Sequence, residues 1–439
     1  MRNYGYRKKS RFNARAVSLI LLFILIIAGI SYGAYKLFFI AAPVVEGLEA
    51  FSSLPIEKII TLTGHNLKSI DIYIYQGDRK IDLLKDIPEI GEKTYSIQVK
   101  PKDLGLVDGS AQVIVRARSG ILKDIKHTIS STIDTVPPKL EVLGATSNIY
   151  QGSGGVAHIR AEGAESVFIK LNEHIFSAFK SQSGSGPESS SEYFAFFPAP
   201  IDTPAGSTFY AVAKDAAGNR AIRALPSKLR EKEYSSSLIN IDDAFINTVI
   251  SPLLNELDIS DPVKAFKKVN EEWRLESVNK VRDIAGKTTA EILWQGSFLQ
   301  MKNSMVMAKY GDKRTYIYNG NAVSQSTHLG YDLASVEKSP VEAANSGIVR
   351  FTGEIGIYGN TVIIDHGLGL MSIYGHLSTI LETEGQSVEK GEIIARTGST
   401  GLAGGDHLHF GILIQGYEVS PLYWWDNNWI KVNVLKYLK

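Results

Sequence analysis

The chain contains no cysteine. Disulfides, thiolate metal ligands and a cysteine nucleophile are therefore excluded, and any transition-metal site must be built from imidazole and carboxylate. The absence does not fix a compartment. A charge of one sign is also missing: 47 Lys and Arg against 46 Asp and Glu leave a net +1. No global field therefore favours nucleic acid, and no nucleic-acid partner is expected. Long apolar runs are scarce, with a single one at residues 16–35. What is present is ordinary for globular cores, at 44% hydrophobic and 21% charged residues. A length of 439 residues predicts two to four domains.

The apolar run has a basic head before it, with Arg2, Arg7, Lys8, Lys9, Arg11 and Arg15. Twenty uncharged residues at a rise of 1.5 Å span roughly 30 Å, the thickness of a bilayer's hydrocarbon core. A secretory signal would have a shorter apolar region and a small-residue cleavage site. Here Lys36 with Phe38 and Phe39 stands where cleavage would fall. A transmembrane anchor at 16–40 is predicted, with residues 1–15 in the cytoplasm and the rest outside.

Short alternating runs follow. Ile72 to Tyr75, Tyr95 to Val99 and Gln112 to Arg116 read as strands, separated by turns at Gln76-Gly77-Asp78 and Val107-Asp108-Gly109. Pro137-Pro138 reads as a linker. A second block repeats the pattern at Val156 to Arg160, Val167 to Leu171 and Phe209 to Ala213. Its segment Ala213-Lys214-Asp215-Ala216-Ala217-Gly218-Asn219 resembles the final strands of bacterial immunoglobulin-like sandwiches. Two β-sandwich modules, 41–135 and 136–228, are expected to act as a stalk. Residues 181–192, rich in serine and glycine, read as a loop.

Residues 229–290 change character. Ala244, Ile246, Val249, Ile250, Leu253 and Leu254 recur at helical spacing, and Asp261-Pro262 reads as an N-cap with proline in the first turn. Phe266, Val269 and Trp273 lie on one face. A connector of two helices is expected. From 291 to 439 short strands and frequent glycines predict a compact all-β domain, sandwich- or barrel-like. The fold class is thus mainly β, with one N-terminal transmembrane helix and a short helical segment.

The chemistry concentrates in that last domain. Three segments stand in order: His328-Leu329-Gly330-Tyr331-Asp332, Tyr374-Gly375-His376-Leu377 and His407-Leu408-His409-Phe410. If His407 to His409 is a strand, both imidazoles point to one side and Leu408 to the other. One can then bind a metal while the other handles a proton. His328 and Asp332, four apart, can meet at one point from a helical turn or a looped segment. Two imidazoles and a carboxylate are the three protein ligands of a catalytic zinc site, whose fourth position is left to water.

At these residues the chain resembles the M23 family of zinc metallopeptidases, the LytM and lysostaphin-like group. Its pattern is H-x-x-x-D, then Y-x-H-L, then H-x-H-F. The intervening stretches 359–367, 388–394 and 397–401 are similar as well, so the resemblance covers roughly 300–425. It implies that His328, Asp332 and His409 bind one Zn2+ and that His376 and His407 are the unligated catalytic histidines. It implies peptide-bond hydrolysis in bacterial peptidoglycan stem peptides, at the outer side of the inner membrane, with cell-wall or envelope proteins as partners. One departure is Asp406, where many members have proline, and a local loop change is expected there. His366 reads as structural or as a support behind the site residues; Tyr374 is open between core and cleft. Two other readings stand beside the enzyme. One is a non-catalytic member that activates cell-wall amidases, although such members lack metal ligands. The other is a lipoyl-like adaptor module, suggested by residues 384–394.

Overall fold

The computed structural model describes residues 14–38, 41–88, 92–119, 123–181, 190–254 and 261–438. The basic head before residue 14 and most of the serine- and glycine-rich stretch, 182–189, lie outside them. Among the described residues the protein is mainly β, 46% strand against 19% helix, with no closed barrel. The apolar run forms one α-helix, Ala14–Phe38. A surface helix of a globular protein shows one apolar stripe, but this helix leaves its large apolar side chains exposed all round, from Val17 to Tyr35. It is long and apolar enough to cross a membrane.

The chain divides into two compact units, residues 1–136 with 217–219, and residues 137–216 with 220–439. In the first, a five-stranded sheet (Ser53–Leu54, Asp124–Ile133, Gly109–Arg118, Ser69–Gln76, Arg79–Asp86) shares a core with a three-stranded one (Val44–Glu46, Lys58–His65, Glu92–Val99). Alternation makes that core. Ile70, Ile72 and Ile74 point in from one sheet and Ile60 and Leu62 from the other, while their neighbours face outward.

The second unit opens with two four-stranded sheets. One is built on Ser153–Glu162 and Ser190–Ala199, the other on Ser166–Leu171 and Phe209–Lys214. The Asp215-to-Asn219 segment turns the chain into the antiparallel hairpin that pairs Phe209–Lys214 with Arg220–Ala224. Val156 and Phe196 of these sheets are buried in one cluster with Trp294, Phe298 and Trp424 of the C-terminal region. These strands are thus built into the head's core.

The head is organised on an eight-stranded sheet. Its order is Met305–Ala308, Tyr331–Ala334, Leu408–Ile414, Leu370–Gly375, Gly359–Gly367, Gly347–Ile355, Ser387–Val388, with Tyr417–Val419 also on Leu408–Ile414. Two helical runs pack on this sheet, as the apolar spacing predicts. The first comprises Asp243–Phe245, Ile246–Ile250 and Ser251–Leu253, and the second Pro262–Lys267, Lys268–Trp273 and Arg274–Ala285. Asp261 caps the second by accepting the amides of Val263 and Lys264. Ile246, Ile250, Phe266, Val269 and Val281 are buried against Ile363, Met371 and Leu413 of the sheet. Ser236–Asn240, ahead of the helices, is a strand that pairs in parallel with Lys313–Tyr318. The β-rich head also ends in short helices, Leu422–Trp425, Asn427–Ile430 and Lys431–Leu435. There Trp424, Ile430 and Val434 reach the core at helical spacing.

Candidate metal centre

Sheet register assembles the site. Tyr331–Ala334 and Leu408–Ile414 are antiparallel with Asp332 directly opposite His409, and Gly375 is opposite His409 on the other side. Directly paired residues place their side chains on one face. His328 precedes its strand in an irregular segment and folds back to the same point. Its Nε2 lies 2.9 Å from Asp332 Oδ1 and 3.2 Å from His409 Nδ1, and His409 Nδ1 lies 3.0 Å from the same oxygen. The glycine between the first two is required. A Cβ on Gly330 would stand 2.5 Å from the His409 ring and 2.8 Å from the Phe410 carbonyl.

The three groups fit a metal ion. One ligand atom from each lies within 4.8 Å of the others, and all three residues are buried or nearly so. The His328 Nδ1 donates to the Lys309 carbonyl at 3.0 Å, which fixes the tautomer and leaves the Nε2 lone pair toward Asp332 and His409. Neighbouring ligands of a tetrahedral zinc ion stand about 3.3 Å apart for bonds of 2.0–2.1 Å. The separations here are close to that, and an N, N, O donor set suits a borderline cation.

His376 and His407 flank the cluster without joining it. Their rings are 4.7 Å apart, and His376 is 5.8 Å from His409. His376 follows the strand Leu370–Gly375 with φ at 61°, a left-handed conformation that histidine adopts more readily than most residues. Its amide donates to the Tyr358 carbonyl and its Nδ1 to the Thr400 carbonyl, each at 2.7 Å. His407 is held through Nδ1 and the Gly405 carbonyl at 2.8 Å, while its Nε2 is 3.6 Å from Asp332 Oδ1. Each therefore keeps one ring nitrogen toward the site. Leu408, between the two site histidines, is buried in the core on the opposite face.

The electrostatics keep the cluster in its ligating form. Burial pushes His376 down to about 3 and His409 down to about 4, so both imidazoles are neutral at neutral pH. Burial alone would raise the Asp332 carboxyl, but hydrogen bonds from His328, His407 and His409 hold it well below the usual carboxylate range. Burial also opposes charge on His407, yet Asp332 more than offsets it and raises that imidazole.

A cavity of about 220 Å³ opens over these residues. Its lining adds Phe245, Phe266, Arg274 and Val278 from the helical runs, and Arg314 and Tyr358 from the head. A second cavity, of about 480 Å³, shares Ala403 and Gly404 with it. Arg314 is a functional candidate that sequence reading missed. Its Nη2 approaches the second oxygen of Asp332 at 3.4 Å, and its Nε lies 3.5 Å from Asp312. No spacing signal marks Arg314, because it reaches the site from the separate sheet containing Lys313–Tyr318.

The remaining candidates fall elsewhere. His366 is fully buried, with Nδ1 on the Ser346 carbonyl and Nε2 near Ser372 Oγ, each at 2.8 Å. Tyr374 belongs to the core, its hydroxyl accepting the Ala344 amide at 2.7 Å. Asp406 pins a loop: it accepts from Thr397 Oγ1 at 2.5 Å and from the Lys338 amide at 3.1 Å.

The model of peptidase family M23 matches residues 326–421. Over 95 residues the chain is 42% identical to the DD-carboxypeptidase/endopeptidase Mpg of Neisseria meningitidis serogroup B and 38% identical to the peptidoglycan DD-endopeptidase ShyA of Vibrio cholerae. Each of those matches covers 22% of this chain and 22% of the relative. It is also 37% identical over 100 residues to the murein hydrolase activator NlpD of Salmonella dublin, covering 23% of this chain and 26% of that one. The similarity therefore spans only about a quarter or less of each relative's length. The family match falls on the segment that carries the five clustered residues, and that segment is a peptidase family M23 domain.

Proposed function

We propose that this chain is a zinc-dependent endopeptidase that hydrolyses peptide cross-links of bacterial peptidoglycan. The convergence of His328, Asp332 and His409 on one point, with two further imidazoles beside it, carries the reading. Those three residues would hold the ion. A bound zinc supplies Lewis acidity and lowers the pKa of a water at its open position toward about 7. The remaining work belongs to the chain. His407, raised by its carboxylate neighbour and open to the cavity, takes the proton of the attacking water and returns it to the leaving amine. His376, neutral and fixed by the Thr400 carbonyl, orients that water or donates to the developing oxyanion. The two roles are separable by single variants. Digestion of purified muropeptides, followed by mass analysis, tests the reading. Cleavage that stops with a chelator and returns with zinc supports it; unchanged cleavage in metal-free protein contradicts it.

The helix Ala14–Phe38 supports a single-pass anchor in the inner membrane, with the head on the periplasmic side. The similarity to an activator gives the second reading, in which the head binds and switches on a cell-wall amidase. The complete ligand set favours the enzyme. An adaptor role has less support, since Lys390, in the turn where a carrier lysine would stand, donates its amine to the Ser297 carbonyl.

A further inference from the structure

The cavity over the metal cluster contains a cation that the hydrolytic reading does not use. Arg274 begins the helix Arg274–Ala285, directly after the π-helical turn Lys268–Trp273. Its guanidinium is hydrogen-bonded to one residue, Nε to the Asn270 carbonyl at 3.0 Å and Nη2 to Asn270 Oδ1 at 2.8 Å. Asn270 is itself fixed, its Nδ2 donating to Ser324 Oγ at 2.9 Å. Among the described residues Arg274 has no ion-pair partner, and its Nη1 has no acceptor. The other guanidinium of the cavity, Arg314, is already engaged by Asp312 and Asp332. Asp332 is the only carboxylate among the described residues of the lining. Glu418 lies beyond Tyr358, accepting its hydroxyl at 3.0 Å; its field reaches Arg274, but no ion pair joins the two.

The cavity thus has one immobilised guanidinium with no ion-pair partner among the described residues, in the same lining as the His328, Asp332 and His409 cluster. Its nearby walls are apolar, formed by Ile239, Phe245, Phe266 and Val278. A desolvated arginine with free donors matches the planar fork of a carboxylate. One surplus charge in apolar walls suits a monoanion better than a phosphate dianion. We propose that Arg274 receives a free carboxylate on the substrate residue that follows the scissile bond. The substrates are then peptides whose leaving-side residue carries an unblocked carboxylate. Such specificity comes from the helical connector, outside the residues matched by the family model. The proposal rests on the peptidase reading for the identity of the ligand, but its test does not require turnover.

The experiment uses the full-length chain in detergent, treated with chelator so that no hydrolysis occurs. An acetylated peptide ending in D-Ala-D-Ala is titrated calorimetrically as the free acid and as its C-terminal amide. Wild type should bind the acid at least about tenfold more tightly than the amide, as a charge-assisted bidentate contact requires. Arg274→Gln should bind both within about twofold, and Arg274→Lys should keep part of the preference. Equal affinities in the wild type overturn the proposal, whether or not the variants fold. So does an acid preference that survives in R274Q. Muropeptide cleavage by the zinc-loaded chain is scored separately. If cleavage is absent while the acid preference depends on Arg274, the peptidase reading fails and the carboxylate receptor stands.

Discussion

Two carboxylates in one sheet, one buried and one nearly so, have opposite surroundings. Asp365 is fully buried and saturated by donors: Arg350 at 2.9 Å, Thr288 Oγ1 at 2.8 Å, and the amides of Thr289 and Gly367 at 2.8 and 2.9 Å. Asp332 is surrounded by imidazoles, three of which turn a ring nitrogen toward its Oδ1 at 2.9, 3.0 and 3.6 Å. The first arrangement locks the 288–289 segment onto the sheet. The second collects lone pairs around a carboxylate at the floor of a cavity. The histidines divide in the same way. His366 has both nitrogens satisfied inside the core, whereas His376 and His407 each keep one toward open space. A histidine beside an aspartate carries no functional meaning by itself; an unspent nitrogen facing a cavity does.

The contrast can be broken at four points. The largest effect is expected at the imidazole cluster. Replacing His407 or His409 by alanine should reduce muropeptide cleavage by more than about a thousandfold, measured as initial rates with zinc present. His366→Gln should retain cleavage at room temperature and neutral pH. Next comes the saturated carboxylate. Asp365→Ala leaves Arg350, Thr288 and two amides without their acceptor, so the head should lose about 3 kcal/mol in urea unfolding while zinc affinity stays within about twofold.

A third test uses pH. Burial pushes His366 down to about 4 from an ordinary 6.5. The unfolded chain therefore binds a proton that the folded one refuses between those values, and stability falls as pH is lowered through that window. The loss should reach about 2 kcal/mol by pH 5 for this group. The fall in unfolding free energy between pH 7 and 5, measured in urea, should be smaller in His366→Gln by that amount. The smallest effect is expected at Arg314. Removing its approach to the second oxygen of Asp332 in Arg314→Gln should weaken zinc binding about tenfold in a competition with a fluorescent chelator, with the melting curve little changed.

Much of this is legible in the sequence. Strict alternation marked the strands around Ile72, Ile97 and Val113, because each sheet has one buried face. The spacing of Ile246, Ile250, Phe266 and Val269 marked the helical runs, and Asp261-Pro262 marked a helix start. The five candidate residues are readable as types and spacings, since an extended chain puts His407 and His409 on one side of Leu408. Register was not readable. That Asp332 faces His409 depends on pairing residues 77 positions apart. The same limit hid Arg274 and Arg314, which enter the cavity from a helix and from a second sheet. It also hid the sharing of one core by Val156, Phe196 and Trp424, which are far apart in the chain. The terminal helices after Pro421 were missed because a run of aromatic residues, Tyr423-Trp424-Trp425, fits a strand as well as a helix.

Equilibrium zinc titration of the full-length chain tests the central contrast most directly. Wild type and Asp365→Asn should each take up one zinc per chain with affinities within about twofold of one another, and Asp332→Asn should lose at least about a hundredfold. Zinc bound equally well by Asp332→Asn would contradict the account.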